Sequence, residues 1–398
     1  MRADRSRRDL LPPAPASFRT CEPTADEADL SEARAGRRVR RRLRRRAHPH
    51  AQRDPPQRKL ELTADGATLI GTDQEIGVRS KVAEVDSKST GTLLLPTQRF
   101  GQILREVPDD TIELEADGEA LFVRAGSSEF KLSTEDPEQF PDVAGFSEEA
   151  YYELSGKAFK SAIQRCIFAV SQESTRYALG GVQVEAWKDH LVLAATDGRR
   201  LSVVNVPCES QGEVPEDRVV GIIPQKAMQL IDRSVVDPDE PVRIAMHDNE
   251  VLVQIGAGGA TTVYARLVDG SFPDYNRVIP TEYTKELDVV AGPIYAAVRQ
   301  AQIVTSDESR GVNFEFSDGT LTLTSSAADV GASTVQVPID YAHEAMTITF
   351  DPRFLVEFLR VLDGEDSVRV KMNDSDKAGV FTAGEGYTYV VMPLQRDR

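Results

Sequence analysis

The sequence predicts an α+β fold made of three copies of one domain. A strand, a short turn and a second strand recur three times, and further strands and a short amphipathic helix follow each pair. Each copy also closes on a proline-marked pair, at Phe140-Pro141, Phe272-Pro273 and Met392-Pro393. These prolines lie 273 − 141 = 132 and 393 − 273 = 120 residues apart. That spacing fits whole domains, because solenoid repeats run only ~20–50 residues.

The strand pairs show this repetition directly. The first pair runs from Lys59 to Asp73 around Ala64-Asp65-Gly66, and its pattern returns at Val182–Asp197 and Asn313–Ser325. The helix of each copy is predicted at 96–107, 224–235 and 351–362. In the first helix the apolar residues fall on one stripe, at positions i, i+3, i+4 and i+7: Phe100, Ile103, Leu104 and Val107.

The second and third copies each open with an additional helix. Residues 155–171 place Phe159, Ala162, Ile163, Cys166 and Val170 on one face, and residues 292–304 place Tyr295, Val298, Ala301 and Gln302 on one face. The first copy shows no opening strand or helix of this kind. We therefore expect four segments: a disordered 1–58, a marginally stable domain 1 at 59–147, domain 2 at 148–275 and domain 3 at 276–398.

Residues 1–58 differ from the rest of the chain. They contain 16 Arg, no Lys and 8 acidic residues, so their net charge is 16 − 8 = +8. Such Arg- and Pro-rich text predicts disorder. It is typical of a basic nucleic-acid arm or, less well because of its acidic residues, of a transit peptide. We favour a third hypothesis, a mis-assigned start or a frameshift, which the DNA upstream of the Lys59 codon would test.

The composition and the missing motifs argue against several classes of function. The chain carries −17 overall, and its acidic body should repel a polyanion unless its positive charges gather on one face. Three scattered cysteines, Cys21, Cys166 and Cys208, predict neither disulfides nor a zinc site. No phosphate-binding loop, nucleophile elbow or metalloprotease motif occurs, so we expect no enzyme, cofactor or metal. Without a long apolar run, we expect a cytoplasmic protein.

Four separated motifs carry a resemblance to a known family. They are Arg176-Tyr177-Ala178-Leu179, Ala195-Thr196-Asp197-Gly198-Arg199-Arg200-Leu201, the stretch from Leu267 to Tyr275, and Val390 to Leu394. From Lys59 to Leu394 the chain resembles the β sliding clamp of bacterial DNA polymerase III. The resemblance implies three clamp domains with antiparallel sheets outside and helices lining the inner face. It also implies a head-to-tail homodimeric ring that encircles duplex DNA and tethers the polymerase.

The resemblance further implies a pocket for short Gln-Leu-x-Leu-Phe type peptides of polymerase, clamp loader and repair proteins. The expected pocket residues are Arg176, Leu179, Thr196, Gly198, Arg199, Arg200, Leu201, Pro273, Arg277, Val278, Val390, Val391 and Met392. Two departures from the family pattern could shift partner preference. Arg199 stands where many relatives have His, and residues 395–398 follow Leu394.

Two further surfaces are expected. Basic residues on the helices would face DNA without reading its sequence: Arg99, Arg105, Lys157, Lys160, Lys226, Arg233, Arg299, Arg353 and Arg360. Apolar residues at opposite ends of the chain would meet across the dimer interface, Phe130 and Leu132 against Ile303 and Val304. The alternative is a monomeric nucleic-acid-binding protein that uses the basic N-terminal arm.

Overall fold

The computed structural model describes residues 37–40, 57–87, 89–173 and 177–394, with only the backbone given for 37–40 and for Tyr177. Antiparallel strands dominate it, and five α-helices occur within the described residues. The predicted α+β class is confirmed. Below, domains 2 and 3 denote the segments proposed from the sequence, and domain 1 denotes residues 59–147 together with the described residues that precede them.

Domain 1 consists of strands and a single helix, as far as its described residues show. Its elements are β1 (Arg37–Arg40), β2 (Gln57–Thr63), β3 (Gly66–Thr72), β4 (Ile76–Val82), β5 (Val85–Asp86), β6 (Gly91–Pro96), α1 (Thr97–Glu106), β7 (Thr111–Asp117), β8 (Ala120–Ala125) and β9 (Ser128–Ser133). The predicted stripe on α1 is buried, together with Val107 just beyond the helix. This apolar stripe holds the helix against the sheets.

Domain 2 repeats this order and adds an opening helix. Its elements are β10 (Tyr151–Ser155), α2 (Gly156–Ile167), β11 (Gly181–Ala186), β12 (His190–Thr196), β13 (Arg200–Pro207), β14 (Glu209–Gln211), β15 (Val219–Pro224), α3 (Gln225–Ser234), β16 (Pro241–Met246), β17 (Glu250–Ile255) and β18 (Thr261–Arg266). Ser155 caps α2, because its hydroxyl accepts a hydrogen bond from the Ala158 amide at 3.2 Å. The predicted apolar face of α2 is buried.

Domain 3 repeats the pattern again. Its elements are β19 (Lys285–Val290), α4 (Ala291–Ala301), β20 (Val312–Ser317), β21 (Thr320–Ala327), β22 (Gly331–Pro338), β23 (Met346–Phe350), α5 (Pro352–Arg360), β24 (Ser367–Met372), β25 (Gly379–Ala383) and β26 (Tyr387–Val391). The face predicted for α4 is partly wrong. Tyr295 is half-buried under the Arg299 guanidinium, and the buried face is Ile294, Ala297, Val298 and Ala301.

Two of the four sheets run across domain boundaries. One has the order β14-β10-β16-β17-β18-β4-β3-β2-β6, and the other β15-β11-β12-β13-β26-β25-β24-β19. The two smaller sheets are β5-β1-β7-β8-β9 and β22-β21-β20-β23. Strand β4 of domain 1 therefore pairs with β18 of domain 2, and β13 of domain 2 pairs with β26 of domain 3. Shared backbone hydrogen bonds thus fix both joints between consecutive domains.

The expectation for residues 1–58 needs correction. Arg37–Arg40 forms strand β1 between β5 and β7, and residues 57 and 58 belong to β2, so disorder is wrong for these six residues. Because β10 likewise lies between β14 and β16, β1 occupies the place of the opening strand that we expected domain 1 to lack. Strand pairing uses backbone groups, so Arg-rich text can supply such a strand. Residues 1–36 and 41–56 lie outside the described residues.

Candidate functional site

The Thr196–Arg200 turn joins β12 to β13 and is closed by its own side chains. The Thr196 hydroxyl donates to the Arg200 carbonyl at 2.6 Å and accepts from the Gly198 amide at 3.0 Å. The Asp197 carboxylate accepts from the amides of Arg199 and Arg200 at 2.9 and 3.1 Å. Gly198 has a φ of 87°, a conformation that glycine adopts at little cost. The short polar residues therefore specify this turn locally.

Arg200 points inward from this turn, and only 8% of its side chain is exposed. Its guanidinium pairs with Asp197 at 3.0 Å and with Glu357 of α5, and donates to the Phe168 carbonyl at 2.6 Å. It also lies 4.5 Å from the centroid of the Phe354 ring. Burial opposes the charge, but the nearby acidic groups raise the pKa of Arg200 above its ordinary value. Arg200 thus joins domain 2 to domain 3.

An apolar cluster lies where the two domains meet. Leu201 and Val390 face each other across β13 and β26, and both are buried. Phe272 and Tyr275 complete the cluster from the segment after β18, with Leu179 packed against its edge. The cluster therefore gathers residues from three distant motifs. We call this cluster and its exposed border the cleft.

The remaining expected pocket residues fall into four groups. On the border, Pro273, Arg277, Val278 and Met392 are exposed, as is Arg199. Val391 is fully buried and faces away from the cleft into the main core, because neighbouring residues of a strand point to opposite faces. Arg176 lies outside the described residues. The hydroxyl of Thr196 is used within the turn, as described above.

Sequence reasoning missed three residues that support the cleft. Glu185 of β11 accepts a hydrogen bond from the Tyr275 hydroxyl, and Glu357 and Phe354 of α5 hold Arg200. Glu185 lies in a strand that is buried throughout, Gly181-Val182-Gln183-Val184-Glu185-Ala186, where Gln183 is the only other polar side chain. An acidic residue in such a strand was the available signal.

The expected DNA-facing residues are largely exposed, but several have internal partners. Lys160 is half-buried and donates to the carbonyls of Asp232 and Val235 at 2.9 and 2.8 Å. Lys226 pairs with Asp73 of domain 1, and Arg353 pairs with Asp351 at 2.6 Å. The others are exposed on their helices: Arg99, Arg105, Lys157, Arg233, Arg299 and Arg360.

The expected interface residues lie on exposed parts of the two terminal domains. Phe130 is 36% exposed on β9, an edge strand, and Leu132 is half-buried two residues further along it. Ile303 is 73% exposed in a short 3-10 helix after α4, where Val304 is half-buried.

The residues that the structure describes contain no group of His, Cys, Asp and Glu suited to a metal ion. In the same ranges no helix is long and apolar enough to cross a membrane. The candidate site is the apolar cluster with its exposed border at the joint between domains 2 and 3.

Three α+β domains joined through shared sheets, with paired helices in domains 2 and 3 and one described helix in domain 1, define the DNA-clamp class of folds. Solved structures with this architecture include the Bacillus subtilis DNA polymerase sliding clamp, with 22% identity, a TM-score of 0.83, and 92% of this chain and 100% of that chain covered. The DNA polymerase III subunit beta of Pseudomonas aeruginosa has 26% identity, a TM-score of 0.78, and 86% and 93% covered.

The chain belongs to the DNA polymerase III beta subunit family, the bacterial sliding clamps. Models of that family match its N-terminal domain at 58–144, its central domain at 153–274 and its C-terminal domain at 276–395. The Escherichia coli beta sliding clamp is 30% identical over 340 residues, which cover 84% of this chain and 91% of the relative. The Chlamydia trachomatis protein is 29% identical over 337 residues, covering 84% and 79%.

Proposed function

We propose that two copies of this sliding clamp close head to tail into a ring around duplex DNA and tether the replicative polymerase without catalysing a reaction. The observation that carries this proposal is the repeated domain joint. In both joints the third strand of the outer sheet, β4 or β13, pairs with the last strand of the next domain, β18 or β26. In domain 3 the equivalent third strand is β22. By the same rule, β22 would pair with the last strand of another domain.

Domain 1 offers that strand. Its last strand is β9, and β9 and β22 are both at the edges of their sheets. Pairing β22 of one copy with β9 of a second copy would repeat the joint a third time and close the ring by two-fold symmetry. Phe130 on β9 and Ile303 beside β22 would then be covered. An edge strand with exposed backbone groups is suited to this pairing.

The charge distribution supports DNA inside such a ring. Exposed arginines and lysines lie on the helices, including Arg99, Lys157, Arg233, Arg299 and Arg360, whereas the chain as a whole carries −17. Contacts from flexible basic side chains to phosphates are independent of sequence, so they permit sliding. Helices facing inward would thus give the DNA a favourable surface within an acidic protein.

The cleft is proposed to bind short peptides of polymerase, clamp loader and repair proteins in the cytoplasm. Its buried centre, Leu201, Val390 and Phe272, is apolar, and its border has the exposed side chains of Val278 and Met392. Apolar peptide side chains would gain affinity by burying this surface, and a few polar groups would fix their orientation.

Sedimentation across a concentration series tests ring formation. We expect the wild type to be a dimer and the variant Ile303→Ala/Val304→Ala to be a monomer with an unchanged circular dichroism spectrum. Val220→Ala/Val236→Ala is the matched control, because Val220 and Val236 are 45% and 76% exposed away from the proposed interface. A wild-type monomer at all concentrations, or an unchanged dimer in the first variant, would contradict the proposal.

A further inference from the structure

The buried carboxylate of Glu185 connects strand β11 to the segment that borders the cleft. Only 5% of its side chain is exposed. One oxygen accepts from Gln183 Nε2 and from the Tyr275 hydroxyl, each at 2.9 Å, and the other accepts from Arg218 at 2.6 Å. A carboxylate with three donors is compensated for its burial, so it can hold its partners in fixed positions.

Tyr275 is the partner that belongs to the cleft. Its ring is 6% exposed and lies edge-on to Phe272, with 6.4 Å between the ring centroids. Burial, followed by the hydrogen bond to Glu185 and then by the charge of Glu185, keeps the pKa of the Tyr275 hydroxyl well above its ordinary value. The hydroxyl therefore remains a donor at neutral pH, and the bond to Glu185 persists.

The segment from Val268 to Ile279 needs such an anchor. The Val268 amide bonds to the Ile222 carbonyl at 2.8 Å at its start. Further along, the ion pair between Arg277 and Asp274 stays within the segment. The bond from Tyr275 to Glu185 instead ties the middle of the segment to the sheet of domain 2, close to Pro273 and Val278 on the cleft border.

Arg218 and Trp187, near the protein surface, support the carboxylate oxygen of Glu185 that does not bind Tyr275. The Arg218 side chain is 47% exposed, and its guanidinium lies 5.7 Å from the centroid of the Trp187 ring. The Trp187 ring also stacks on His190, with 5.7 Å between the ring centroids. This stack restrains Arg218, which in turn holds Glu185 oriented toward Tyr275.

We infer that Glu185 is a positioning residue for peptide recognition: through Tyr275 it fixes the segment that forms one wall of the cleft. This inference rests on the proposed peptide-binding function. Glu185 itself would not touch the peptide. Its loss would let the 268–279 segment move, so the free cleft would have to be ordered again on binding.

Titration with an acetylated Gln-Leu-Ser-Leu-Phe peptide, followed by calorimetry, tests the inference. Tyr275→Phe removes the hydroxyl alone, and we expect the Kd to rise roughly tenfold, as for loss of one hydrogen bond to a charged group. Tyr283→Phe is the matched control. The hydroxyl of Tyr283 bonds to the nearby Pro280 carbonyl at 2.6 Å, so this change should alter the Kd less than about twofold.

Comparing Glu185→Gln with Glu185→Ala separates a positioning role of Glu185 from a general effect on stability. Glu185→Gln can still accept from Tyr275 and should keep the Kd within about threefold of wild type, whereas Glu185→Ala should raise it roughly tenfold. Wild-type affinity in Tyr275→Phe, or equal affinities in the two Glu185 variants, would overturn the inference. No binding by the wild type would instead overturn the peptide-binding function itself. If Tyr275→Phe does not fold, the Glu185 pair decides.

Discussion

The joint between domains 1 and 2 and the joint between domains 2 and 3 begin with the same turn. In the second joint the turn is Thr196–Arg200; in the first it is Thr72–Ile76. The Thr72 hydroxyl donates to the Ile76 carbonyl at 3.0 Å and accepts from the Gln74 amide at 2.9 Å. The Asp73 carboxylate accepts from the Glu75 and Ile76 amides. Each turn leads into the strand that crosses to the next domain.

The two turns differ at three positions, and two of these differences separate a simple joint from one that carries the candidate site. Gln74, with a φ of 76°, stands where the second turn has Gly198, and Ile76 stands where it has Arg200. Ile76 is buried in the large core that also contains residues of domains 2 and 3. Arg200 instead pairs with Glu357 and lies over the ring of Phe354, both in the next domain. The shared turn sets the backbone, and the residues at these two positions determine which contacts each joint makes.

The largest expected effect concerns how firmly each joint couples its domains. Leu121 of domain 1 and Leu193 of domain 2 are both fully buried, and truncating either to Ala should cost about 2–5 kcal/mol. We expect Leu121→Ala to unfold domain 1 alone, because Leu121 lies in a smaller cluster separate from the large core, whose buried residues, apart from Ile76, come from domains 2 and 3. Leu193→Ala should lower the stability of domains 2 and 3 together.

Urea unfolding followed by limited proteolysis and mass spectrometry distinguishes these outcomes. A protease-resistant fragment beginning near Glu148 should accumulate for Leu121→Ala in the urea range where domain 1 is unfolded. If Leu121→Ala unfolds the whole chain in one step, the first joint is as firm as the second. The expected difference between the two joints would then be wrong.

The second effect concerns the buried charge in the second joint. Arg200→Met preserves much of the side-chain volume but leaves Asp197 and Glu357 without their cation. We expect a loss of about 2–3 kcal/mol, below the ~3–5 kcal/mol for a fully buried pair, because Glu357 is 36% exposed. The neighbouring Arg199 is exposed, so Arg199→Met should change stability by less than ~0.5 kcal/mol. The urea concentrations at the unfolding midpoints of the two variants are compared. Equal midpoints would show that Arg200 does not join the domains.

The third effect compares the residues at the third position of the two turns, Gly198 in the second joint and Gln74 in the first. Gly198→Gln transfers the residue of the first turn to the second, and Gln74 shows that glutamine can adopt this backbone. We expect peptide affinity to fall at least about tenfold, because glycine lets a ligand approach the backbone closely. Gln74→Gly should leave peptide affinity unchanged. If Gly198→Gln binds peptide as tightly as wild type, the peptide does not approach this turn.

Much of this fold could be predicted from local patterns. The hairpins, the five helices and the buried stripe of α1 follow from apolar periodicity, which reflects contacts within one element. The wrong face of α4 arose because Tyr295 can keep a polar tip and a cation-covered ring at the surface. Strand β1 was missed because Arg-rich text carries no apolar alternation, and its place is set by pairing with β7.

The site was only partly predictable for the same reason. The motifs identified Leu201 and Val390 of the cleft centre, but the direction of Val391 depends on strand alternation in the shared sheet. The inward turn of Arg200 depends on Glu357, which lies 157 residues further along the chain. Partners so far apart meet only when two domains are assembled.

The smallest expected effect concerns the ion pair of Lys226 with Asp73 across the first joint. Burial opposes the charge of Asp73, but the hydrogen bonds from Lys226 and from the turn amides outweigh it and lower the pKa of the carboxyl below its ordinary 3.8. Because the folded pKa is the lower one, this stabilisation is present above the unfolded pKa and is lost as pH falls through the folded pKa. The Lys226 side chain is 59% exposed, so the pair should contribute less than about 1 kcal/mol.

Asp73→Asn retains the acceptor for the turn amides but removes the charge, so it isolates the ion pair. We expect it to lower the free energy of unfolding of domain 1 at pH 6 by a few tenths of a kcal/mol to about 1 kcal/mol, and to have less effect near pH 3. Asp65→Asn, at the exposed turn between β2 and β3, is the control and should give no such difference between the two pH values. An equal loss at both pH values would mean that Asp73 acts through the turn rather than through Lys226. The stability of the first joint would then come from its strand pairing and its buried Ile76 rather than from this ion pair.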